Sequence, residues 1–446
     1  MVAIMQETRA TFRVQKTVLA AAAASCLAVG FASPNTAAVA AEVQDEAEIP
    51  FCPRPGAETL GSGPQSELST DQADQDAATP VLQDASSDAL RVATYNANLT
   101  REAPGDLFEE LSAPGAEDAT KVARAIQKVR PDVLVLTGID VDMESGENVA
   151  KAFNTNYLAV GGDEHTGMTY PYSYTAPSNV GVDSGADINR NGTIGDPGDA
   201  LGYGDFPGQL SMIVYSKYPL DTENVRDFTS MPWEAMPDNS IPAELTDLER
   251  DLLPLASVSH WDIPVEVDGD TVHVLATSTA DASESSYGTA RNHDQIRFWE
   301  DYIDPDTEYI RDHRGERGPL PEDATFVLAG SLKADPTGSG PADPTAITSL
   351  LASDQILDPE PARTMTASAL SRGLIPTTPE ATHHTAPTPS NDDETYRADY
   401  VLLSSDLTVS DSGVLETDSL GPNVGPFGHH REDPETHIVW ADITLD

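Results

Sequence analysis

Pro131-Asp132-Val133-Leu134-Val135-Leu136-Thr137-Gly138-Ile139-Asp140 is the stretch on which the fold reading turns. Val133 to Leu136 are apolar without alternation, so the strand they form must be covered on both faces. Just before it, Glu117–Val129 places Val122, Ala125, Ile126 and Val129 at helical spacing, and Pro131 closes that helix. Upstream, Leu90-Arg91-Val92-Ala93-Thr94-Tyr95-Asn96 reads as another strand. The alternation returns downstream. Strands are expected over Gln209–Tyr215, Thr271–Ala276, Phe326–Ala329, Tyr400–Leu403 and His437–Leu445. A helix is expected over His293–Ile303, with Ile296, Phe298, Trp299 and Ile303 on its apolar faces. The Pro- and Thr-rich stretch from Gly338 to Asn391 reads as irregular with limited helix. No internal repeat interrupts this, which predicts one α/β domain over 89–446.

Outward from that domain the sequence changes character. Residues 41–88 carry Asp, Glu, Ser, Gln, Pro and Ala with scarcely any large apolar side chain, the composition of a disordered linker. Before them, Arg9, Arg13 and Lys16 precede an apolar run from Val18 to Phe31, and Ala38-Val39-Ala40 has the form of a cleavage site before Ala41. Residues 1–40 are therefore expected to be a secretory signal and the mature protein extracellular, with room for association with the cell surface. No later apolar stretch approaches membrane length. Cys26 would leave with the signal, and Cys52 alone cannot form an internal disulfide. The net charge is −49, from 74 Asp and Glu against 25 Lys and Arg. Such a surface repels phosphate backbones, so tight nucleic-acid binding is not expected. A monomer is expected.

Seven strings, in this order, resemble the endonuclease/exonuclease/phosphatase superfamily, in particular a secreted bacterial branch of it. They are Val92-Ala93-Thr94-Tyr95-Asn96, the stretch from Pro131 to Asp140, Pro207-Gly208-Gln209 through Pro219, Arg291-Asn292-His293-Asp294-Gln295, Phe326 through Pro336, Arg397-Ala398-Asp399-Tyr400, and Ile438-Val439-Trp440. The resemblance implies a four-layer α/β sandwich, two packed mixed β-sheets flanked by helices. It also implies phosphoester hydrolysis with Mg²⁺, where a hard cation on carboxylate and amide oxygens neutralises developing charge and a His–Asp pair handles the proton.

This chain departs from the family pattern at most functional positions. Asn96 is kept. Gly138 stands where the family has a metal-binding Glu. The Asp and Asn of the family's G-D-x-N string are Ser331 and Lys333, the mid-chain His is Ser278, and the terminal S-D-H aligns with Pro434-Glu435-Thr436. Asp399, the acid that orients the family's last His, survives. Remnants from which a site would be rebuilt are Asn96, Asp140, Asp335, Asp399 and Glu435. Asp140 follows Gly138 by two, which on a regular strand points it to the same face. Two readings stay open: an inactive member serving as a binding or surface module, and a slow metal-dependent phosphodiesterase or nuclease with a rewired site.

A second constellation lies apart. Asp187-Ile188-Asn189-Arg190-Asn191-Gly192-Thr193-Ile194 puts oxygen donors at positions 1, 3 and 5 and Gly at 6, the opening of a Ca²⁺ loop. Gly198 stands where the loop's bidentate Glu belongs, with Asp196 and Asp199 as substitutes, and a polar turn is the plain alternative. His383-His384 and His429-His430 read as solvated loop residues, and His260 and His293 as structural.

Overall fold

Val92 and Ala93 point to opposite faces of one strand, and both are fully buried. That is the signature of a sheet covered on both sides. The computed structural model describes residues 89–141, 147–162, 166–283, 285, 287–362, 383–388, 391–415 and 437–445. The expected signal and linker, and with them Glu435, Thr436 and His429-His430, lie outside the described residues.

In chain order the elements are β1 (Leu90–Leu99), α1 (Asp106–Leu111), α2 (Glu117–Val129), β2 (Val133–Ile139), α3 (Glu147–Phe153), β3 (Tyr172–Tyr174), β4 (Ser211–Ser216), β5 (Arg226–Asp227), α4 (Asp247–Leu252), β6 (Ser259–Val267), β7 (Asp270–Ser278), α5 (Gly288–Ile303), β8 (Thr325–Ser331), α6 (Pro344–Leu351), β9 (Ile356–Leu357), β10 (Ala386–Thr388), β11 (Asn391–Tyr396), β12 (Asp399–Ser404), β13 (Thr408–Leu415) and β14 (Ile438–Thr444). Sheet one runs β13-β14-β1-β2-β4-β3 and sheet two β5-β6-β7-β8-β12-β9. Both are mixed: β1–β2 and β7–β8 are parallel, and their other neighbours antiparallel.

Alternation assigns the faces. Val92, Val133, Val214, Trp261, Val274, Val327, Val401 and Val439 meet in one apolar layer between the sheets. Ala93, Leu134, Tyr215 and Trp440 face α1, α2 and α3, whereas Leu275, Leu328 and Leu402 face α5 and α6. The result is the four-layer sandwich that the resemblance implies. Within sheet one, Arg91 holds Asp442 through two hydrogen bonds of 2.6 and 2.7 Å, gives a third to Val129 O and lies over the Trp440 ring. A buried pair needs such complete bonding to offset its desolvation.

Helix α5 begins five residues before the expected His293, because its first turns are held by polar rather than apolar contacts. Arg291 donates to the carbonyls of Leu201, Pro254, Leu255 and Ala256. Asn292 Nδ2 donates to Ala280 O and Leu332 O, and Gln295 accepts from Ala280 N–H. The helix thereby clamps the chain just beyond β7 and β8. His260 is structural as expected, buried against Phe298 and Trp299, and burial holds its pKa down at about 3.

Candidate active site

The C-terminal ends of β7 and β8 and the start of β12 form one edge of sheet two. Ser259 pairs with Ser278, Ser278 with Ser331, and Ser331 with Asp399. Paired residues share a face, so these four continue the inter-sheet layer in polar form. Gly330 is required here: it has φ +149°, and a Cβ would stand 1.9 Å from Thr277 O on β7. Asp399 is 1% exposed, and its Oδ2 accepts from Thr385 Oγ1 at 2.9 Å. Burial pushes its pKa up to about 6, against the hydroxyls of Ser331 and Thr385 and the charge of Lys333. Ser331 lies close enough to act on that charge, but not in hydrogen-bond geometry. Among the described residues, Asp399 Oδ1 has no donor, and Ser259 Oγ and Thr137 Oγ1 are likewise buried without partners.

Sheet one supplies the opposite edge. Asn96 on β1 pairs with Thr137 on β2, and beyond that pair both ladders slip. Gly138 lies in the slip at φ +65°, and a Cβ on it would stand 2.1 Å from Asn96 Oδ1. The asparagine thus fills the space that any side chain at 138 would enter first. Two residues beyond Gly138, Asp140 accepts from Leu210 N–H at 2.9 Å and Arg101 N–H at 2.6 Å, tying three segments together. Burial raises its pKa to about 6 against those same N–H groups.

Asp335 is also committed to structure. Its Oδ1 accepts from the N–H and hydroxyl of Thr337 and its Oδ2 from Arg397 N–H. His384 Nε2 lies 3.7 Å from the same oxygen. This corrects the reading of His384 as a solvated loop residue, since it is buried between Asp335 and Thr395. His383 is half-buried and bonds to Pro361 O. The backbone N–H groups of Leu332 and Lys333 both donate to Ala398 O, and Lys333 takes φ +52°.

Sequence reasoning passed over His437. It is buried, and its N–H donates to Thr385 O, the residue whose hydroxyl serves Asp399. The β1–β14 register pairs Thr94 with Val439. Carried two residues further, it sets His437 opposite Asn96. Parity was the available signal, because His437 falls in phase with the inward-facing Val439, Ala441 and Ile443.

Of the expected remnants, the fold brings Asp335 and Asp399 to one edge with Ser278, Ser331 and Lys333, leaves Asn96 on the facing edge, and bonds Asp140 to the N–H groups of Arg101 and Leu210. Among the described residues, no three His, Cys, Asp or Glu side chains gather as a metal site. A hard divalent ion needs several oxygens, carboxylates among them. Among the described residues, the donor set at this edge is one uncommitted carboxylate oxygen, three serine hydroxyls and an ammonium, which does not fit Mg²⁺.

In the Asp187 segment the oxygens serve the loop itself. Asp187 accepts from Asn191 and Gly192 N–H, Asp196 from the side-chain amides of Asn189 and Asn191, and Asp199 from Ile188, Asn189 and Gly195 N–H. Gly192 makes the turn at φ +87°.

The Endonuclease/Exonuclease/phosphatase family model matches residues 93–419. No curated protein matches the sequence. Among solved structures, the chain is similar to an endonuclease/exonuclease/phosphatase from Beutenbergia cavernae DSM 12333, at 18% identity and TM-score 0.43 over 80% of this chain and 72% of that one. It is also similar to sphingomyelinase C from Streptomyces griseocarneus, at 17% identity and TM-score 0.40 over 79% and 99%. A third is a family protein from Leptotrichia buccalis C-1013-b, at 11% identity and TM-score 0.40 over 80% and 100%.

Proposed function

This chain belongs to the endonuclease/exonuclease/phosphatase family, and we propose that it is an exported member in which metal-dependent phosphoester hydrolysis is impaired or lost, retained as a binding or surface module. One observation carries this reading: Asn96 Oδ1 occupies the space beside Gly138. The family position for a metal-binding carboxylate has no side chain, and one placed there would have to displace Asn96 Oδ1 and hold a φ of +65°. On the facing edge Ser278, Ser331 and Lys333 supply two hydroxyls and a cation in place of an imidazole and two metal-directed oxygens. Groups that act as a catalytic unit lose most of their effect when any member is removed.

Export rests on the pattern of residues 1–40, and the charge of −49 favours a monomer that does not hold nucleic acid. Ca²⁺ is proposed for the loop that opens at Asp187. With Mg²⁺ or Mn²⁺, the purified protein should hydrolyse bis(p-nitrophenyl) phosphate and DNA no faster than buffer. The second reading, a slow hydrolase with a rewired site, draws on His384 and His437, two buried imidazoles near Asp335 and Asn96. Turnover by the unmodified protein that disappears on His437→Ala or Asn96→Ala would establish that reading and displace the first.

A further inference from the structure

We infer that the cleft between the Asp187 segment and the turn after β7 is a binding site for a neutral, polyhydroxylated ring, a single sugar unit. Two adjoining recesses share Gly198, Tyr203, Ser285 and Tyr287. The larger encloses about 280 Å³, room for one six-membered ring, and Asn189 and Asp196 complete its wall. The smaller ends on Ser257, Ala280 and Arg291.

The protein itself holds both walls. Arg291 on α5 ties them together by donating to Leu201 O. On one side Asp199 is fully buried and accepts from the N–H groups of Ile188, Asn189 and Gly195. On the other, Tyr287 packs near Trp233 with ring centroids 6.2 Å apart. Close packing fixes the backbone on either side of Tyr203. A Cβ on Gly202 would stand 1.9 Å from Ser257 O, and one on Gly204 2.5 Å from Val180 Cγ1. The Tyr203 ring is nevertheless 44% exposed. Among the described residues, the hydroxyls of Tyr203 and Ser285 have no hydrogen-bond partner.

The lining selects the chemistry of the ligand. An anion is opposed by Asp196 and by the chain's net charge of −49. An apolar ligand would strip water from the two hydroxyls and give nothing back. An organic ammonium has no acceptor, so it would leave both hydroxyl protons unmatched. Sugar hydroxyls donate and accept, and the C–H face of a sugar ring suits the exposed tyrosine. Asp196 takes the Gly198 N–H and the side-chain amides of Asn189 and Asn191. About one of a carboxylate's roughly four acceptor positions is then left for a ligand hydroxyl.

Saturation-transfer NMR and calorimetric titration with methyl α-glucoside, methyl α-mannoside, methyl β-galactoside and N-acetylglucosamine test this, in one Ca²⁺-containing buffer. At least one should bind with a dissociation constant on the order of a millimolar. Tyr203→Ala should weaken that binding about tenfold, and Tyr203→Phe or Ser285→Ala about threefold. Tyr172→Ala, at an exposed tyrosine on β3, should leave it unchanged. Should Tyr203→Ala lower the melting temperature, the Tyr203→Phe and Ser285→Ala variants decide. No binding by any of the four sugars at about 100 mM, or binding that these variants leave intact, would overturn the inference. So would tetramethylammonium or inorganic phosphate binding in a Tyr203-dependent way where the sugars do not. The inference goes beyond the functional proposal and is separable from it. Phosphoester turnover at the Asp399 edge would displace that proposal and leave the sugar site standing, and a failure to bind sugar would leave that proposal untouched.

Discussion

The two edges that face each other across the inter-sheet layer depart from the family in different ways. On sheet one the space is filled: the ladder slips at Gly138 and Asn96 Oδ1 closes over it. On sheet two Ser278, Ser331 and Asp399 stay in unbroken register, and the departure from the family's sequence pattern lies in the side chains, with Lys333 at φ +52° just beyond. One edge differs in fit and the other in charge. A side chain at 138 must displace Asn96 Oδ1 and hold a φ of +65°, whereas a charge change can be reversed residue by residue.

The largest effect that follows is on Gly138→Glu. The collision with Asn96 and the positive φ should destabilise the protein by about 2–4 kcal/mol in denaturant unfolding. Adding Asn96→Gly should recover about half of that loss. If Gly138→Glu is tolerated as well as a surface change, the two edges do not differ in the way described. A smaller effect belongs to sheet two. Asp399 titrates at about 6 in the fold, against about 3.9 in an unfolded chain. Because the folded value is raised, its contribution is intact below about pH 4 and is lost as the pH rises through about 6. Between those limits Asp399→Asn should gain up to about 3 kcal/mol relative to the native protein. A difference that does not vary with pH would mean that Asp399 is not desolvated as its burial implies. The smallest effect lies away from both edges. Millimolar Ca²⁺ should raise the melting temperature by a degree or two through mass action, and Asp187→Ala should abolish the rise. An unchanged melting curve would make the loop an ordinary turn and leave both edges as they are.

The fold was legible in the sequence wherever burial is written in apolar runs. Val133–Leu136 announced a strand covered on both faces, and the ordered strings supplied the family. What escaped was polar. The first turns of α5 are fixed by Arg291, Asn292 and Gln295 reaching for carbonyls, so apolar periodicity placed the helix start late. Strand alternation holds only while the ladder holds, and the slip at Gly138 cannot be seen in composition. His384 looked solvated because its neighbours in sequence are polar, although its neighbours in space are Asp335 and Thr395. The substitutions at Gly138, Ser331 and Lys333 were legible as losses. That Asn96 fills one of the gaps is a fact of three dimensions.

The pair Arg91–Asp442 bears on how the chain reaches its native state. It joins residues 351 positions apart, at the centre of sheet one, where β14 is sandwiched between β1 and β13. Neither neighbour has its full complement of backbone partners until β14 is in place, and unpaired strand edges invite association with other chains. Contacts of such long sequence separation must wait for a large loop to close, so this architecture folds slowly. Sheet one therefore cannot be complete before β14 has docked. Until then β1 is an open edge and β13 has no partner in the sheet, which leaves both exposed to association with other chains.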